Sequence, residues 1–287
     1  MDRFDIYQQI AERTNGDIYI GVVGPVRTGK STFIKRFMDL LVIPNITDTF
    51  ERDRAIDELP QSASGKTIMT TEPKFIPNEA ANITIDGNIK LKVRLVDCVG
   101  YLVEGALGHL ENDVPRMVDT PWFEEKIPFG EAAEIGTKKV ITEHSTIGLV
   151  VTTDGSITDI ARSEYEEAEE RVITEMKNTG KPFAILLNCI DPTQEETLAI
   201  REMLGEKYGV PVLPVNCSSM SQEDINDIMQ TVLYEFPICE IGINIPSWMV
   251  SLDYNEALKA SLTDAIRDSF ESASKVRHIN KCVEALE

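Results

Sequence analysis

The five cysteines (Cys98, Cys189, Cys217, Cys239 and Cys282) are odd in number, widely spaced and free of any C-x-x-C pair. Neither a disulfide framework nor a cysteine zinc site is expected, and a reducing, cytosolic compartment fits that usage. Histidine is scarcer: His109, His144 and His278 lie too far apart in the chain to suggest a histidine metal site or a general base. Positive charge is in deficit, with 28 Lys and Arg against 48 Asp and Glu and a formal net charge of −20. That balance opposes sequence-independent binding to nucleic acid phosphates or anionic lipid, so no nucleic acid partner is expected. No run approaches the ~18 apolar residues that suggest a membrane-spanning helix, and the charged start MDRFDIYQQIAERTNGD lacks an apolar core. No direct membrane span is expected. Internal repeats and low-complexity tracts are also missing.

What is present is an α/β pattern. Short β-branched runs at Ile18–Val23, Lys74–Pro77 with Asn82–Ile85, Lys90–Val96, Ile147–Thr152, Phe183–Asn188 and Val212–Asn216 predict strands. Helix-period segments Ser31–Leu41, Ser163–Asn178, Gln194–Tyr208 and Gln222–Tyr234 alternate with them, the pattern of a mostly parallel sheet flanked by helices. Ile85 to Ile89 reads as a tight turn joining two antiparallel strands. Two stretches interrupt the alternation and read as long loops: Ile43–Met69, with room for one short helix, and Tyr101–Ser145, which carries Trp122, Phe123 and Phe129. The expected division is an N-terminal helix over 1–16, a nucleotide-binding domain over 17–236 and, from 237 to 287, the start of a second α+β domain whose remainder is missing. In that last part Ile238–Leu252 reads as strand-like and Asn255–Leu286 as helical.

The strongest motif follows the first strand. Gly24, Pro25, Val26, Arg27, Thr28, Gly29, Lys30, Ser31 and Thr32 match G-x-x-x-x-G-K-[ST], the phosphate-binding P-loop. Its glycines let backbone N–H groups turn toward a β-phosphate at a helix N-terminus; Lys30 supplies a point charge to the β- and γ-phosphates, and Ser31 offers a hydroxyl to Mg²⁺. A later strand ends in D-x-x-G: Asp97 would hold Mg²⁺ through water, and the Gly100 N–H would face the γ-phosphate. Tyr101 follows, where many GTPases keep a water-positioning glutamine. Thr70 and Thr71 stand where switch-type NTPases place a threonine that senses Mg²⁺ and γ-phosphate, and spacing does not choose between them.

The order P-loop, Thr-Thr, D-x-x-G resembles the translation-factor-type P-loop GTPases of the Era-like branch. Those proteins read guanine with N-K-x-D; here the matching residues are Asn188, Cys189, Ile190 and Asp191, with the lysine missing. Asp191 precedes Pro192 and also fits a helix cap, so adenine is admissible as well as guanine. A further loop, Asn216 to Ser219 with Ser218 at its tip, is similar to the small-residue loop that closes over the base. Together with Pro121, Trp122 and Phe123 in the extended second switch and the acidic N-terminus, the chain closely resembles the stage IV sporulation protein A family of spore-forming bacteria.

The resemblance implies an ATPase using ATP and Mg²⁺ to drive polymerisation into the basement layer of the spore coat, in the mother-cell cytoplasm at the forespore surface. It implies nucleotide binding by Lys30, a Mg²⁺ contact by Asp97, and hydrolysis sensing by Thr70 and Thr71. It also implies a C-terminal region for self-assembly and for docking to a small amphipathic membrane peptide and other coat proteins. A GTPase switch and a structural assembly protein that scarcely turns nucleotide over are the alternatives. Arg27 occupies the loop position at which potassium-activated relatives carry asparagine, so its guanidinium could act as an internal arginine finger. Cys98 and Cys189 read as small apolar fillers. The acidic run Glu164–Glu170 reads as a solvated helix face.

Overall fold

The computed structural model describes residues 3–60, 72–106, 110–111, 114–251, 253 and 256–285. Thr70 and Thr71 lie outside them. Two compact units are present, Met1–Val232 and Leu233–Glu287.

The first unit is built on a six-stranded sheet. Its strands are β1 (Asp17–Val23), β2 (Lys74–Ile85), β3 (Ile89–Asp97), β4 (Ile147–Thr153), β5 (Phe183–Asn188) and β6 (Val212–Val215), in the order β6-β5-β4-β1-β3-β2. Every neighbouring pair is parallel except β2 with β3, whose hairpin turns at Asp86 and Gly87. β4 and β5 are buried on both faces, which is why they read as unbroken apolar runs; β3 alternates buried and exposed positions along most of its length. β1 lies between β3 and β4, and the chain passes from β3 on one side of it to β4 on the other. The crevice outside the strands' carboxyl ends at that switch point is where open α/β sheets take ligands.

Helix α1 (Arg3–Thr14) packs on the sheet through Ile6, Tyr7 and Ile10, all buried, and the Tyr7 hydroxyl donates to Asn226. α2 (Lys30–Phe37) continues as a π-helical turn, Met38–Val42, that carries the same apolar face of Phe33, Ile34, Phe37, Met38 and Leu41 into the core. α3 (Thr49–Asp57) lies within the first long loop, after a 3-10 turn at Ile43–Asn45, and is capped by Asp48, whose carboxylate accepts from the Glu51 N–H. The second long stretch is not a loop throughout. It holds a ribbon, Met117–Thr120 paired with Phe123–Pro128, and a 14-residue helix, α4 (Phe129–Thr142). The helix lacks a strong apolar stripe: beside Phe129, Val140 and Ile141 its buried face is made of Ala132, Ala133, Gly136 and Thr137. Trp122 folds back over Gly136, 3.3 Å from where a β-carbon would sit. α5 (Glu166–Thr179), α6 (Glu195–Tyr208) and α7 (Gln222–Tyr234) lie close to their expected bounds.

The acidic run needs one correction. Glu169 is 1% exposed; it accepts from the Thr152 hydroxyl at 2.5 Å and from Arg162 at 2.8 Å. Helical periodicity turns this one carboxylate inward while Glu166, Glu167 and Glu170 stay in water.

In the second unit, Ile238–Leu252 is not a strand among the described residues. A single bridge joins Pro237 to Lys275, and a short helix, α8 (Ser247–Val250), ends the segment, which lacks a second strand to complete a ladder and is broken by Pro246. α9 (Ala257–Phe270) and α10 (Ile279–Glu284) follow. Glu235, 1% exposed, is held by Lys275 and Arg277.

Candidate nucleotide site

The ends of β1, β3, β4, β5 and β6 lie on one edge of the sheet and bring the sequence motifs together. The P-loop rises from β1, and Gly29 caps α2 in the left-handed conformation. Gly24 has φ +142, and a β-carbon on it would come within 2.1 Å of the Val151 carbonyl oxygen; this close approach seats the loop against β4. Pro25 has no N–H, and its carbonyl accepts from the Thr28 hydroxyl at 3.0 Å. Val26 is buried, and its N–H donates to the Tyr101 carbonyl at 2.9 Å, so it anchors the loop to the D-x-x-G segment. Thr32 is half-buried in the first turn of α2.

Lys30 is 5% exposed and folded into the loop, donating to the Pro25 carbonyl at 2.6 Å and the Gly24 carbonyl at 3.3 Å. Burial pushes its pKa below the usual 10.5, and the negative charge of Asp97 works against that shift. One residue on, the Ser31 hydroxyl donates to Asp97 Oδ2 at 2.6 Å. Burial pushes the Asp97 carboxyl above 3.8, opposed by the Ser31 hydrogen bond and by Lys30. Its other oxygen, Oδ1, is buried without a partner among the described residues. A hydroxyl and a carboxylate with a spare buried lone pair are hard oxygen donors, and they fit Mg²⁺. Of the three residues expected around that ion, Ser31 and Asp97 are brought together here; Thr71 falls outside the described residues.

Arg27 lies in the left-handed region at φ +63, an unfavourable conformation for a residue with a side chain, which here aims the guanidinium from the loop. It is half-buried, makes no hydrogen bond or ion pair among the described residues, and is close enough to Tyr165 for its charge to bear on that phenol. Tyr101, in the glutamine position, turns away from the phosphate loop. Its hydroxyl bonds to Glu175 and its ring lies under the Arg171 guanidinium at 4.4 Å, so it does not position water.

At the base end, the loops after β5 and β6 are joined to each other. Asn188 donates to the Thr28 carbonyl at 2.9 Å and accepts from the Cys217 N–H at 3.1 Å, tying the P-loop, β5 and the loop after β6 into one unit. Asn216 donates to the Ile190 carbonyl at 2.9 Å, and its side-chain oxygen accepts from the Ser218 N–H and hydroxyl. Cys189, in the position of the lysine of N-K-x-D, is fully buried, its thiol 3.6 Å from the Val215 carbonyl; it cannot cover a ring as a lysine stem does. Asp191 is exposed and accepts from the Thr193 N–H and hydroxyl, which hold its carboxyl below the usual range; the cap of α6 is Gln194, not Asp191.

Sequence reading missed the loop between β4 and α5. Ile157 reaches 3.9 Å from the position of a Gly29 β-carbon, and the Ser156 hydroxyl accepts from the Ile190 N–H at 3.0 Å. The only signal was the turn-forming pair Asp154 and Gly155 at a strand end, which does not say what the turn touches.

Burial pushes the thiols of Cys98 up to about 11 and those of Cys189 and Cys217 to about 12, whereas Cys239 is exposed. Since the thiolate is the reactive species, iodoacetamide at pH 8 should label Cys239 first and leave these three unmodified until the protein unfolds. Peptide mass spectrometry over a labelling time course checks this; early labelling of Cys189 would show that the base-end loops open.

The chain matches the family models "Stage IV sporulation protein A, ATPase domain" over residues 1–237 and "Stage IV sporulation protein A, middle domain" over residues 238–287. It is 54% identical over 283 residues to stage IV sporulation protein A of Bacillus subtilis (strain 168), covering 99% of this chain and 58% of that protein. Identity is 56% over 280 residues to the Clostridioides difficile (strain 630) protein of the same name, covering 98% of this chain and 57% of that one. The chain thus spans a little over half the length of these relatives. Among solved structures, a dimerization-deficient mutant of Toc33 from Arabidopsis thaliana aligns over 80% of this chain and 88% of that chain, at 12% identity and a TM-score of 0.46. No helix among the described residues is long and apolar enough to cross a membrane.

Proposed function

The chain belongs to the stage IV sporulation protein A family, and from that premise we propose that it is an ATPase whose hydrolysis of ATP drives self-assembly into the basement layer of the bacterial spore coat. The observation that carries the hydrolase reading is the juxtaposition of Lys30, Ser31 and Asp97 at the carboxyl edge of β1 and β3. Lys30 would exchange its two carbonyl acceptors for phosphate oxygens, while Ser31 and Asp97 would hold Mg²⁺. The ion, when bound, would neutralise charge on the phosphates. Gly100 and the P-loop amides would orient the phosphate chain, so that positioning and charge stabilisation supply most of the catalysis. Thr70 and Thr71 remain the proposed sensors of the γ-phosphate.

The inward turn of Cys189 supports ATP over GTP, since no long side chain from that position lies across a base. Competition of ATP against GTP for the purified chain tests the choice, and GTP binding about tenfold tighter, or 1.4 kcal/mol, would overturn it. The exposed carboxylate of Asp191 favours the GTPase reading, because that group is the guanine reader in N-K-x-D proteins. Single-turnover hydrolysis of radiolabelled ATP separates an ATPase from an assembly protein that binds without turnover. Self-assembly, docking to an amphipathic membrane peptide and other coat proteins, and a place in the mother-cell cytoplasm at the forespore surface complete the proposal, with residues 17–236 as its nucleotide-binding domain.

Arg27 is proposed to take the place of a potassium ion, its guanidinium neutralising charge that builds in the transition state. Arg27→Ala should slow turnover by about 100- to 1,000-fold, the range seen when one preorganised charge stabiliser is removed. Unchanged turnover in that variant, or a steep rise with potassium in the unmodified protein, would remove Arg27 from the mechanism.

A further inference from the structure

We propose that Asp154 and Ser156 form a clamp that positions the base-reading loop, and thereby sets which base the site accepts. The inference rests on reading this site as a nucleotide pocket, and it concerns only the base end. Asp154 stands directly after β4, on the same sheet edge as Asn188 and Asn216. Its Oδ1 accepts from the Ser156 N–H at 2.9 Å and from the Ser156 hydroxyl at 2.6 Å; its Oδ2 accepts from the hydroxyl of buried Thr197 at 2.8 Å.

The proton count gives the clamp its direction. A serine hydroxyl has one proton, and here Asp154 takes it, which leaves Ser156 Oγ as an acceptor. The Ile190 N–H donates to that oxygen at 3.0 Å, while the Ile190 carbonyl accepts from Asn216. The peptide groups on both sides of Ile190 are therefore held, between Cys189 and Asp191. Proteins with N-K-x-D have a lysine in this loop that lies over the base; with Cys189 turned into the core, that cover is gone. The loop is held by Asn188 on Thr28 at one end, by the Cys189 N–H on the Val215 carbonyl and Asn216 on the Ile190 carbonyl from the β6 side, and by the Asp154–Ser156 pair on the Ile190 N–H from the β4 side. Ile190, 63% exposed, and Asp191 sit on the segment so fixed. Asp154 and Ser156 are positioning residues: they act on the base through Ile190 and Asp191.

The test is Ser156→Ala in the intact chain, with ATP, GTP and inorganic tripolyphosphate as competing probes against a fluorescent ATP analogue. Tripolyphosphate carries the phosphates without the base. Loss of the Ile190 acceptor should weaken ATP about three- to tenfold and change the ATP-to-GTP preference, while tripolyphosphate binding stays within about twofold. Ser156→Thr keeps the hydroxyl at an exposed position and should restore ATP affinity. An equal weakening of ATP and tripolyphosphate, or no change in either, would overturn the clamp. A parent chain that binds neither nucleotide would overturn the nucleotide reading and the clamp with it, an outcome distinct from a parent that binds and a variant that is unaffected.

Discussion

Lys30→Met should abolish the rise in melting temperature that ATP and Mg²⁺ confer and lower turnover by at least about a hundredfold, with the fold retained. Lys30 is the one cation the loop buries, and methionine keeps most of its apolar stem in the same space while removing the charge. Little stability is at stake, because a buried ammonium is itself unfavourable and the Thr28 hydroxyl still donates to the Pro25 carbonyl. Differential scanning fluorimetry with and without ATP, beside a phosphate-release assay, reads both parts. Wild-type ATP stabilisation in the variant would show that the phosphates bind elsewhere.

The same groups set the pH response. The proposed nucleotide binding needs a charged Lys30 and an ionised Asp97, whose pKa values are displaced below 10.5 and above 3.8 respectively. Affinity should therefore fall, on the acid side, at a higher pH than an ordinary aspartate would dictate, and on the alkaline side at a lower pH than an ordinary lysine would. The stability signs are opposite. The unfolded chain binds the Lys30 proton more tightly, so stability rises with pH between the folded and unfolded lysine pKa values; the folded chain binds the Asp97 proton more tightly, so stability falls with pH between the unfolded and folded aspartate pKa values.

Gly100→Ala should damage both the fold and the site. Gly100 has φ +93, and a β-carbon there would lie 2.0 Å from the Gly24 carbonyl oxygen and 2.7 Å from Lys30 Nζ. The first neighbour is backbone and cannot step aside without moving the P-loop. Left-handed strain of ~1 kcal/mol and overpacking of ~1–3 kcal/mol together should destabilise the domain by about 2–4 kcal/mol, a drop in Tm of roughly 4–16 °C. Turnover should fall with it, because the displaced groups are the ones proposed to hold phosphate. Gly87→Ala is the control: its φ is +78 but nothing lies within 4 Å of the new β-carbon, so it should show the strain alone. Equal losses for the two variants, measured by thermal denaturation, would mean that crowding at Gly100 contributes nothing.

The local part of this protein was legible without coordinates. The six strands, the hairpin between β2 and β3, and the helices α5, α6 and α7 follow from apolar periodicity and turn chemistry, which act over a few residues. So did the P-loop and D-x-x-G, because a strand followed by glycines and a lysine is a motif of adjacent positions. α4 was hidden, since Ala132, Ala133 and Gly136 carry little hydrophobic signal and become a packing face only once Trp122 lies against Gly136 and Val118 joins Phe129 and the two alanines. Glu169 looked like its neighbours in an acidic run until folding placed Thr152 and Arg162 beside it. Tyr101 and Cys189 each stood at a recognisable motif position, but whether they face the ligand or the core depends on partners distant in the chain, Glu175 for one and Val215 for the other. Asp154 and Ser156 carry no motif at all. The sequence determined that a phosphate-loop motif and a D-x-x-G are present and which residues each offers, because each motif is a run of adjacent positions. The tertiary structure decided what surrounds the base end of the site, because that end is assembled from three loops whose contacts span 26 to 160 residues and exist only once the sheet has brought its strand ends together.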